Sequence, residues 1–151
     1  MLQIKLFPRL TDMKQALIIF QSRNGRTKKY AEKIGYYFNS LNIEATVISI
    51  ENFSKDLLIG ADYVLLGCWT QGTLLLNQRP EKNWIDFVKS LKLNKNQKVA
   101  LFTTYRILTG SMFRNMKKYL FQDEERVIME LKSKDGKLTD TDKQRLLEFL
   151  N

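Results

Sequence analysis

Apolar residues in this chain form short continuous runs that alternate with longer segments of mixed polarity. Residues 16–20, 61–68 and 97–104 are too short and too continuously apolar for surface helices. Runs of this kind are typical of strands buried on both faces of a parallel sheet. Residues 44–50 are rich in β-branched residues and alternate in polarity, which predicts an edge strand. Residues 126–132 complete a set of five predicted strands.

The segments between these strands carry apolar residues at three- and four-residue spacing, which predicts amphipathic helices. One helix is predicted over residues 27–41 and another over residues 111–120. Pro80 fits the first turn of a third helix, and Thr139 fits the start of a closing helix. The predicted buried positions are Tyr30, Ile34, Tyr37, Phe38 and Leu41 in the first helix, Trp84, Ile85, Phe87, Val88 and Leu91 in the third, and Leu146, Leu147 and Leu150 in the last.

The alternation of strands and helices predicts an α/β fold, an open five-stranded parallel sheet with helices on both faces, because right-handed crossovers allow little else. Ligands of such sheets bind outside the carboxyl ends of the strands, where the strand order changes direction. The chain has 151 residues, and 44% of them are hydrophobic, which suits one domain with one sizeable core. We expect a single domain over residues 14–151 and an N-terminal extension over residues 1–13.

The composition excludes several kinds of chemistry. Cys68 is the single cysteine and the chain has no histidine, so neither a disulfide framework, nor a His-based triad, nor a His metal ligand is expected. No apolar run approaches the length of a membrane span, and the start of the chain lacks a signal-peptide pattern. A cytoplasmic protein without a metal site or a membrane partner is the simplest interpretation.

The formal net charge of +9 raises the question of a nucleic-acid partner. The basic residues are dispersed over two predicted helices and the flanks of a strand, however, and no nucleic-acid-binding motif occurs among them. We therefore expect no nucleic-acid function, and the charges are interpreted as solvated faces.

The most informative segment is residues 22–27, Ser-Arg-Asn-Gly-Arg-Thr, which joins the first buried strand to the first helix. Gly25 allows the backbone a positive φ, and Ser22, Asn24 and Thr27 bring short polar side chains into the turn. The helix that follows presents its unpaired N–H groups and the positive end of its dipole at the same point. This arrangement predicts a phosphate-binding loop.

At this loop the chain resembles the flavodoxin family, which holds the phosphate of FMN in a loop of the pattern [ST]-x-[TN]-G-x-T. Residues 67–72, GCWTQG, resemble the family's G-[CS]-x-T-x-G segment beside the flavin ring, and residues 103–110 resemble the loop that brings an aromatic residue to the other ring face. The resemblance spans residues 14–120 and extends toward the carboxyl terminus. It implies the strand order 2-1-3-4-5 and these FMN-binding residues: Ser22, Arg23, Asn24, Gly25, Arg26, Thr27, Trp69, Thr70, Gln71, Gly72, Thr104, Tyr105, Arg106 and Gly110.

The chain departs from the usual family pattern in the second loop. Gln71 holds the place where many flavodoxins have an aromatic residue, and Trp69 holds the place of a small one. Two interpretations of Trp69 remain open at this stage, contact with the flavin ring and packing in the core behind the loop. Tyr105 is the other aromatic residue expected near the ring.

The resemblance implies an FMN-binding electron-transfer protein with redox partner proteins. Arg26, Arg79 and Arg106 lie in or near the proposed loops, whereas the family tends to be acidic. We therefore expect these arginines to favour the reduced flavin and a partner with an acidic surface. Two alternatives are a flavin-dependent NAD(P)H or quinone reductase of the same fold and a flavin-free interaction module.

Overall fold

The computed structural model describes residues 13–73, 76–120 and 125–151, so the predicted N-terminal extension, apart from Met13, lies outside the described residues. No helix in these ranges is long and apolar enough to span a membrane. The elements follow in the order β1 (Gln15–Gln21), α1 (Arg26–Ser40), β2 (Glu44–Ser49), α2 (Asp56–Ile59), β3 (Tyr63–Trp69), β4 (Gln71–Thr73), β5 (Leu76–Arg79), α3 (Lys82–Ser90), β6 (Lys98–Thr104), α4 (Met112–Lys118), β7 (Val127–Ser133) and α5 (Asp140–Leu150).

Five parallel strands form the main sheet in the order β2-β1-β3-β6-β7. When these five strands are numbered alone, the order is 2-1-3-4-5, so the predicted fold class and topology are confirmed. Strand β2 lies at one edge, as its alternating sequence predicts. The order changes direction between β1 and β3, and this is where a doubly wound sheet opens a crevice.

The two faces of the sheet pack against different helices because successive side chains of a strand point to opposite sides. Ile18 and Phe102 face α1 and α5 in one buried cluster. Ile19 and Leu101 face α3 and α4 in the other. The central strands therefore have no polar face, which explains why their sequences are continuously apolar.

The predicted inner face of α5 is partly wrong. Leu146 is buried, but Leu147 is 36% exposed and Phe149 is buried in its place. The carboxylate of Asp142 turns inward, where it accepts hydrogen bonds from the Tyr30 hydroxyl at 3.1 Å and from the Thr139 N–H at 3.2 Å. The buried face of α5 thus begins with a hydrogen-bonded aspartate. A prediction based on apolar residues alone does not include this position. Thr139 caps this helix as predicted.

The start of α3 also differs from the prediction by two residues. Lys82 is its first residue and Glu81 its N-cap, so Pro80 lies just before the helix rather than in its first turn.

A two-stranded antiparallel hairpin, β4 and β5, lies between β3 and α3 and was not predicted. Its strands are three and four residues long and mostly polar, so they show none of the alternation that marks a half-buried strand. The backbone carbonyl of Gln78 fastens the hairpin by accepting hydrogen bonds from Ser111 Oγ at 3.1 Å and Asn115 Nδ2 at 2.8 Å. The hairpin places Arg79 opposite Gln71, beside the carboxyl ends of the main strands.

Gly67 in β3 provides a test of this packing, because a Cβ at this position would overlap the ring of Phe102 on the neighbouring strand. We expect Gly67→Ala to lower the free energy of unfolding by about 1–3 kcal/mol, the usual cost of overpacking a core. The measurement is urea unfolding followed by circular dichroism. Most of this loss should be recovered in the Gly67→Ala, Phe102→Leu double variant, measured against Phe102→Leu alone.

Gly60→Ala is the matched control for this substitution. Its Cβ would meet only the flexible end of the Gln15 side chain, so its effect should be small. Equal losses in the two alanine variants would contradict the proposed contact between Gly67 and Phe102.

Candidate functional site

A polar cleft of about 640 Å³ opens at the carboxyl edge of the main sheet. Its volume falls within the range of about 300–1,000 Å³ that is usual for ligand sites. Three loops bound it, one after β1, one after β3 and one after β6, as their positions in the sequence predict. The lining residues are Arg23, Asn24, Arg26, Trp69, Thr70, Gln71, Gly72, Arg79, Thr104, Tyr105 and Arg106.

The loop after β1 is a compact turn held by its own side chains. Gly25 adopts φ +93° at the N-cap of α1, a conformation that L residues rarely adopt, although a Cβ there would meet nothing within 4 Å. Ser22 Oγ accepts a hydrogen bond from the Gly25 N–H at 3.0 Å, and Asn24 Oδ1 accepts one from the Arg26 N–H at 3.3 Å. Backbone conformation, rather than space, therefore requires glycine at this position.

The start of α1 suits an anion. Its first turn contains no acidic residue, and its N-cap, Gly25, has no side chain that could cap the helix. The first amides of an α-helix have no intrahelical acceptor, and the helix dipole adds positive potential at this end. Arg23 and Arg26 line the cleft beside this helix start. The residues present therefore fit a phosphate group.

Thr27 lies beneath the cleft rather than on its wall. Its side chain is fully buried, and its Oγ1 lies 2.6 Å from Thr104 Oγ1 at the end of β6. This hydroxyl pair joins the first loop directly to the third. Ser22 and Gly25 belong to the turn but do not line the cleft.

A second set of threonine contacts joins the loops after β3 and β6. Thr70 Oγ1 lies 2.9 Å from Thr103 Oγ1, and the Thr70 N–H donates to the Thr104 carbonyl at 2.8 Å. Thr103 Oγ1 also donates to the Cys68 carbonyl at 2.7 Å. Hydrogen bonds beside the cleft, which Thr70 and Thr104 line, therefore join the loops after β3 and β6.

Trp69 is half-buried on the wall of the cleft and belongs to neither core cluster, so the interpretation that it fills the core is wrong. Its Nε1 donates a hydrogen bond to Glu81 Oε2 at 3.1 Å. The guanidinium of Arg23 lies over the ring, 4.9 Å from its centroid, which is a cation–π contact. Trp69 therefore presents an aromatic face toward a cation of the first loop, a contact that no sequence pattern indicates.

Tyr105 is the other aromatic residue of the cleft, and it is half-buried. Its backbone N–H donates to the Ser133 carbonyl at 3.1 Å, which fastens the third loop to the end of β7. Gly110, at the far end of that loop, does not line the cleft. A Cβ on Gly110 would lie 2.7 Å from Gln78 Oε1, so the loop lies against the hairpin there.

The cleft is strongly cationic. Arg23, Arg26, Arg79 and Arg106 line it, and none of the described lining residues is acidic, although Glu81 accepts a hydrogen bond from Trp69 on its wall. Arg79 is outside the set of site residues implied by the family patterns, because the polar hairpin that carries it matches none of the sequence motifs of the family. The sequence nevertheless locates Arg79 near the loops, and the structure confirms this position.

Cys68 lies at the end of β3, next to the cleft, but is fully buried. Burial raises the pKa of its thiol well above the ordinary value, and the nearby charge of Glu81 raises it further. The thiol therefore stays protonated and unreactive, which confirms the prediction of a small core residue.

Comparison with known proteins agrees with this geometry. The family model described as the flavodoxin domain matches residues 17–141. A flavodoxin of Clostridium beijerinckii is 29% identical over 98 residues, which cover 65% of this chain and 70% of that protein.

Solved structures share the fold. The two-electron reduced flavodoxin of Megasphaera elsdenii has a TM-score of 0.65 and 20% identity, over 89% of this chain and 96% of that one. The oxidised flavodoxin 1 of Bacillus cereus has a TM-score of 0.62 and 23% identity, over 90% and 94% of the two chains. Because the family model matches most of its length, the chain belongs to the flavodoxin family, a family of electron-transfer flavoproteins.

Proposed function

We propose that this protein binds FMN noncovalently in the cleft at the carboxyl edge of the sheet and carries electrons between partner proteins. One observation carries the proposal. The cleft joins an anion-binding end, at the start of α1, to an aromatic end that contains Trp69 and Tyr105. A ligand that fills it needs a phosphate at one end and a flat conjugated ring at the other. The domain that binds it is assigned to residues 14–151.

At the phosphate end, the backbone amides of residues 22–27 and the side chains of Ser22 and Asn24 would hold the phosphate. Arg23 and Arg26 would supply the charges that balance its negative charge. Thr27 would act from below by keeping the first loop attached to Thr104.

At the ring end, Trp69 and Tyr105 offer aromatic faces, and backbone groups of residues 70–72 and 104–106 would satisfy the polar edge of the ring. Gln71 and Gly72 line the cleft and would bring the hairpin close to that edge. FMN, when bound, supplies the electron acceptance and release that protein side chains lack. The protein contributes position, exclusion of water and electrostatic environment.

FMN fits better than a dinucleotide flavin. The loop ends at the start of a helix, a position that suits a terminal phosphate, and the chain contains no Gly-x-Gly-x-x-Gly fingerprint. We therefore expect a preference for FMN over both FAD and riboflavin.

The visible spectrum of the purified protein, with and without added FMN, tests the proposal. Binding should perturb the flavin absorption bands and saturate at one FMN per chain. A protein that never takes up flavin would be the interaction module, and one that oxidises NAD(P)H steadily would be the reductase. Either result would replace the electron-carrier proposal.

Thr27→Ala tests the phosphate end. We expect FMN affinity to fall by about 1–3 kcal/mol, because the variant loses a buried hydroxyl pair that fixes the loop. Calorimetric titration of the apoprotein measures this, with Thr46→Ala on the exposed side of β2 as the control. Unchanged FMN affinity, or tighter binding of riboflavin than of FMN, would remove the phosphate-loop assignment.

Replacement of Trp69 and Tyr105 by leucine tests the ring end. Each variant should lose about 0.5–1.5 kcal/mol of FMN affinity and recover part of the quenched flavin fluorescence, because aromatic stacking is removed. Tyr36→Leu is the control, since Tyr36 is 79% exposed on α1 and does not line the cleft. If the double variant bound and quenched FMN like the parent protein, the ring site would lie elsewhere.

Arg106→Gln tests the effect of the cationic cleft on the reduction potential. A unit charge about 8 Å away interacts by roughly 0.5–2 kcal/mol, and removing a cation disfavours the negative charge that reduction adds. We expect the potential of the bound flavin to fall by about 20–90 mV in low salt, at about 59 mV per tenfold change for one electron.

The shift should shrink as salt screens the exposed guanidinium. Redox titration at low and high salt measures it, with Lys143→Gln on α5 as the charge-matched control. A potential that responds neither to Arg106→Gln nor to salt would contradict the electrostatic argument and leave the flavin site intact.

A further inference from the structure

We propose that the mouth of the cleft is the docking surface for a redox partner protein with an acidic face, a surface that binds its partner through arginines around exposed aliphatic side chains. The inference rests on the proposed function, because an electron carrier must bring its partner close to the cofactor. It adds the chemistry of that partner and the residues that recognise it.

The first observation is the charge of this surface. Arg23, Arg79 and Arg106 are exposed around the cleft, and Arg26 is half-buried beside them. Among the described residues, none of the four forms a salt bridge with an aspartate or glutamate. No carboxylate in the described part of the chain therefore neutralises them by direct contact. In the FMN-loaded protein Arg23 and Arg26 would balance the phosphate, so Arg79 and Arg106 are the guanidinium groups that remain to pair with carboxylates of a partner.

The second observation is apolar exposure on the two segments that carry Arg79 and Arg106. Leu76 in the hairpin is 68% exposed and Ile107 in the loop after β6 is 51% exposed. Each lies close in sequence to a cleft arginine, Leu76 three residues before Arg79 and Ile107 directly after Arg106. Ile59 on α2 and Ile128 on β7 are exposed as well, and single exposed aliphatic residues are ordinary on protein surfaces, so Leu76 and Ile107 are distinguished by the cleft arginines on their own segments.

The third observation is that the hairpin and the loop after β6 touch each other. Gln78 accepts hydrogen bonds through its backbone carbonyl from Ser111 and Asn115, and its side chain lies against Gly110. The two exposed aliphatic residues therefore belong to adjoining segments, and the same two segments carry Arg79 and Arg106. An apolar centre with a charged rim is the usual form of a protein interface.

The positive charge of the cleft rim favours a partner whose surface is negatively charged. A cationic rim steers an acidic surface to the cleft at a high association rate and repels a basic one. Nucleic acid would also satisfy the arginines, but in the proposed FMN complex the flavin occupies the aromatic faces of Trp69 and Tyr105 on which single-stranded bases would stack, whereas exposed aliphatic side chains suit a protein surface. A carboxylate-rich electron-transfer protein is therefore the partner that this surface fits.

A second basic surface on the molecule serves as an internal control. Lys33, Lys137 and Lys143 lie around a separate cleft of about 530 Å³ between α1 and α5, together with Tyr36 and Tyr37. Replacement of two of these lysines changes the net charge as much as replacement of two cleft arginines. Effects of net charge are thereby separated from effects of position.

The test uses the FMN-loaded protein and two probes, an acidic [2Fe–2S] ferredoxin and a basic cytochrome c, with binding measured by calorimetry at low and high salt. The parent should bind ferredoxin more tightly than cytochrome c, and salt should weaken that binding. Arg79→Gln combined with Ile107→Ser should weaken ferredoxin binding about tenfold or more at low salt, because both the rim charge and the apolar contact are lost. Lys33→Gln combined with Lys143→Gln should change it less than twofold.

A kinetic test uses small oxidants. Oxidation by ferricyanide transfers one electron from the reduced flavin to iron(III) and gives ferrocyanide. Its rate should fall with rising salt in the parent and lose most of this dependence in the Arg79→Gln, Arg106→Gln variant, whereas the cationic oxidant hexaammineruthenium(III) should show the opposite salt dependence.

Tighter binding of cytochrome c, equal effects of the cleft and lysine variants, or Arg79-dependent binding of a single-stranded oligonucleotide in place of ferredoxin would each overturn the docking proposal. Failure of the proposed function is distinguishable from these results. It would appear as a protein that takes up no FMN, and ferredoxin binding to that protein can still be measured by the same calorimetry.

Discussion

Parallel pairing of β1, β3 and β6 is the constraint on which the site depends. It brings Gln21 beside Cys68 and Trp69 beside Thr104, so three loops that are distant in sequence leave the sheet at one edge. The pairing requires a close approach at Gly67, where the ring of Phe102 occupies the space of a side chain. The parallel pairing of these strands therefore determines both the packing of the core at Gly67 and the position of the cleft.

Strand pairing alone leaves the exact positions of the loops and of α5 open, and two groups of buried polar contacts fix them. The hydroxyl pair of Thr27 and Thr104 holds the first loop to the third, while Asp142 receives a hydrogen bond from Tyr30 and so fixes α5 against α1. Burial raises the pKa of the Tyr30 hydroxyl, and the charge of Asp142 raises it further, so the phenol remains a donor at all ordinary pH values. Satisfied polar contacts of this kind specify one geometry where apolar packing alone tolerates several.

The sequence predicts most of the fold because its strands are buried on both faces and therefore carry an unmistakable apolar signal. The sequence is a poor guide where the local pattern of apolar and polar residues does not show which contacts a residue makes in the folded protein. The β4–β5 hairpin is polar and short, and its fastening at Gln78 depends on residues more than thirty positions later. Similarly, Asp142 turns an inward position of α5 into a polar one, so an apolar pattern misplaces Leu147 and Phe149.

The same limits apply to the candidate site. The loop after β1 is predictable because a positive φ, a helix start and short polar side chains all lie within six residues. The contact of Arg23 with Trp69 is not, because it joins two loops and depends on rotamers. The family patterns imply a set of residues, and the structure shows that Thr27, Ser22, Gly25 and Gly110 support the cleft while the others of the set line it.

In the proposed complex with FMN, the arginines of the cleft would have two effects, which depend on their distance from the phosphate and from the ring. There a cation beside the start of α1 would act mainly on the phosphate, which is charged in every redox state, so it would change affinity with little change in potential. A cation near the ring acts on charge that is present only after reduction, so it changes the potential. Arg23 contacts Trp69 from the first loop and thus lies between these two regions. Its cation–π contact also protects one face of the indole from water, and a ring that stacks on that face must displace the guanidinium or stack on the opposite face. In that complex the position of Arg23 would therefore couple the loop after β1 to the aromatic end of the cleft.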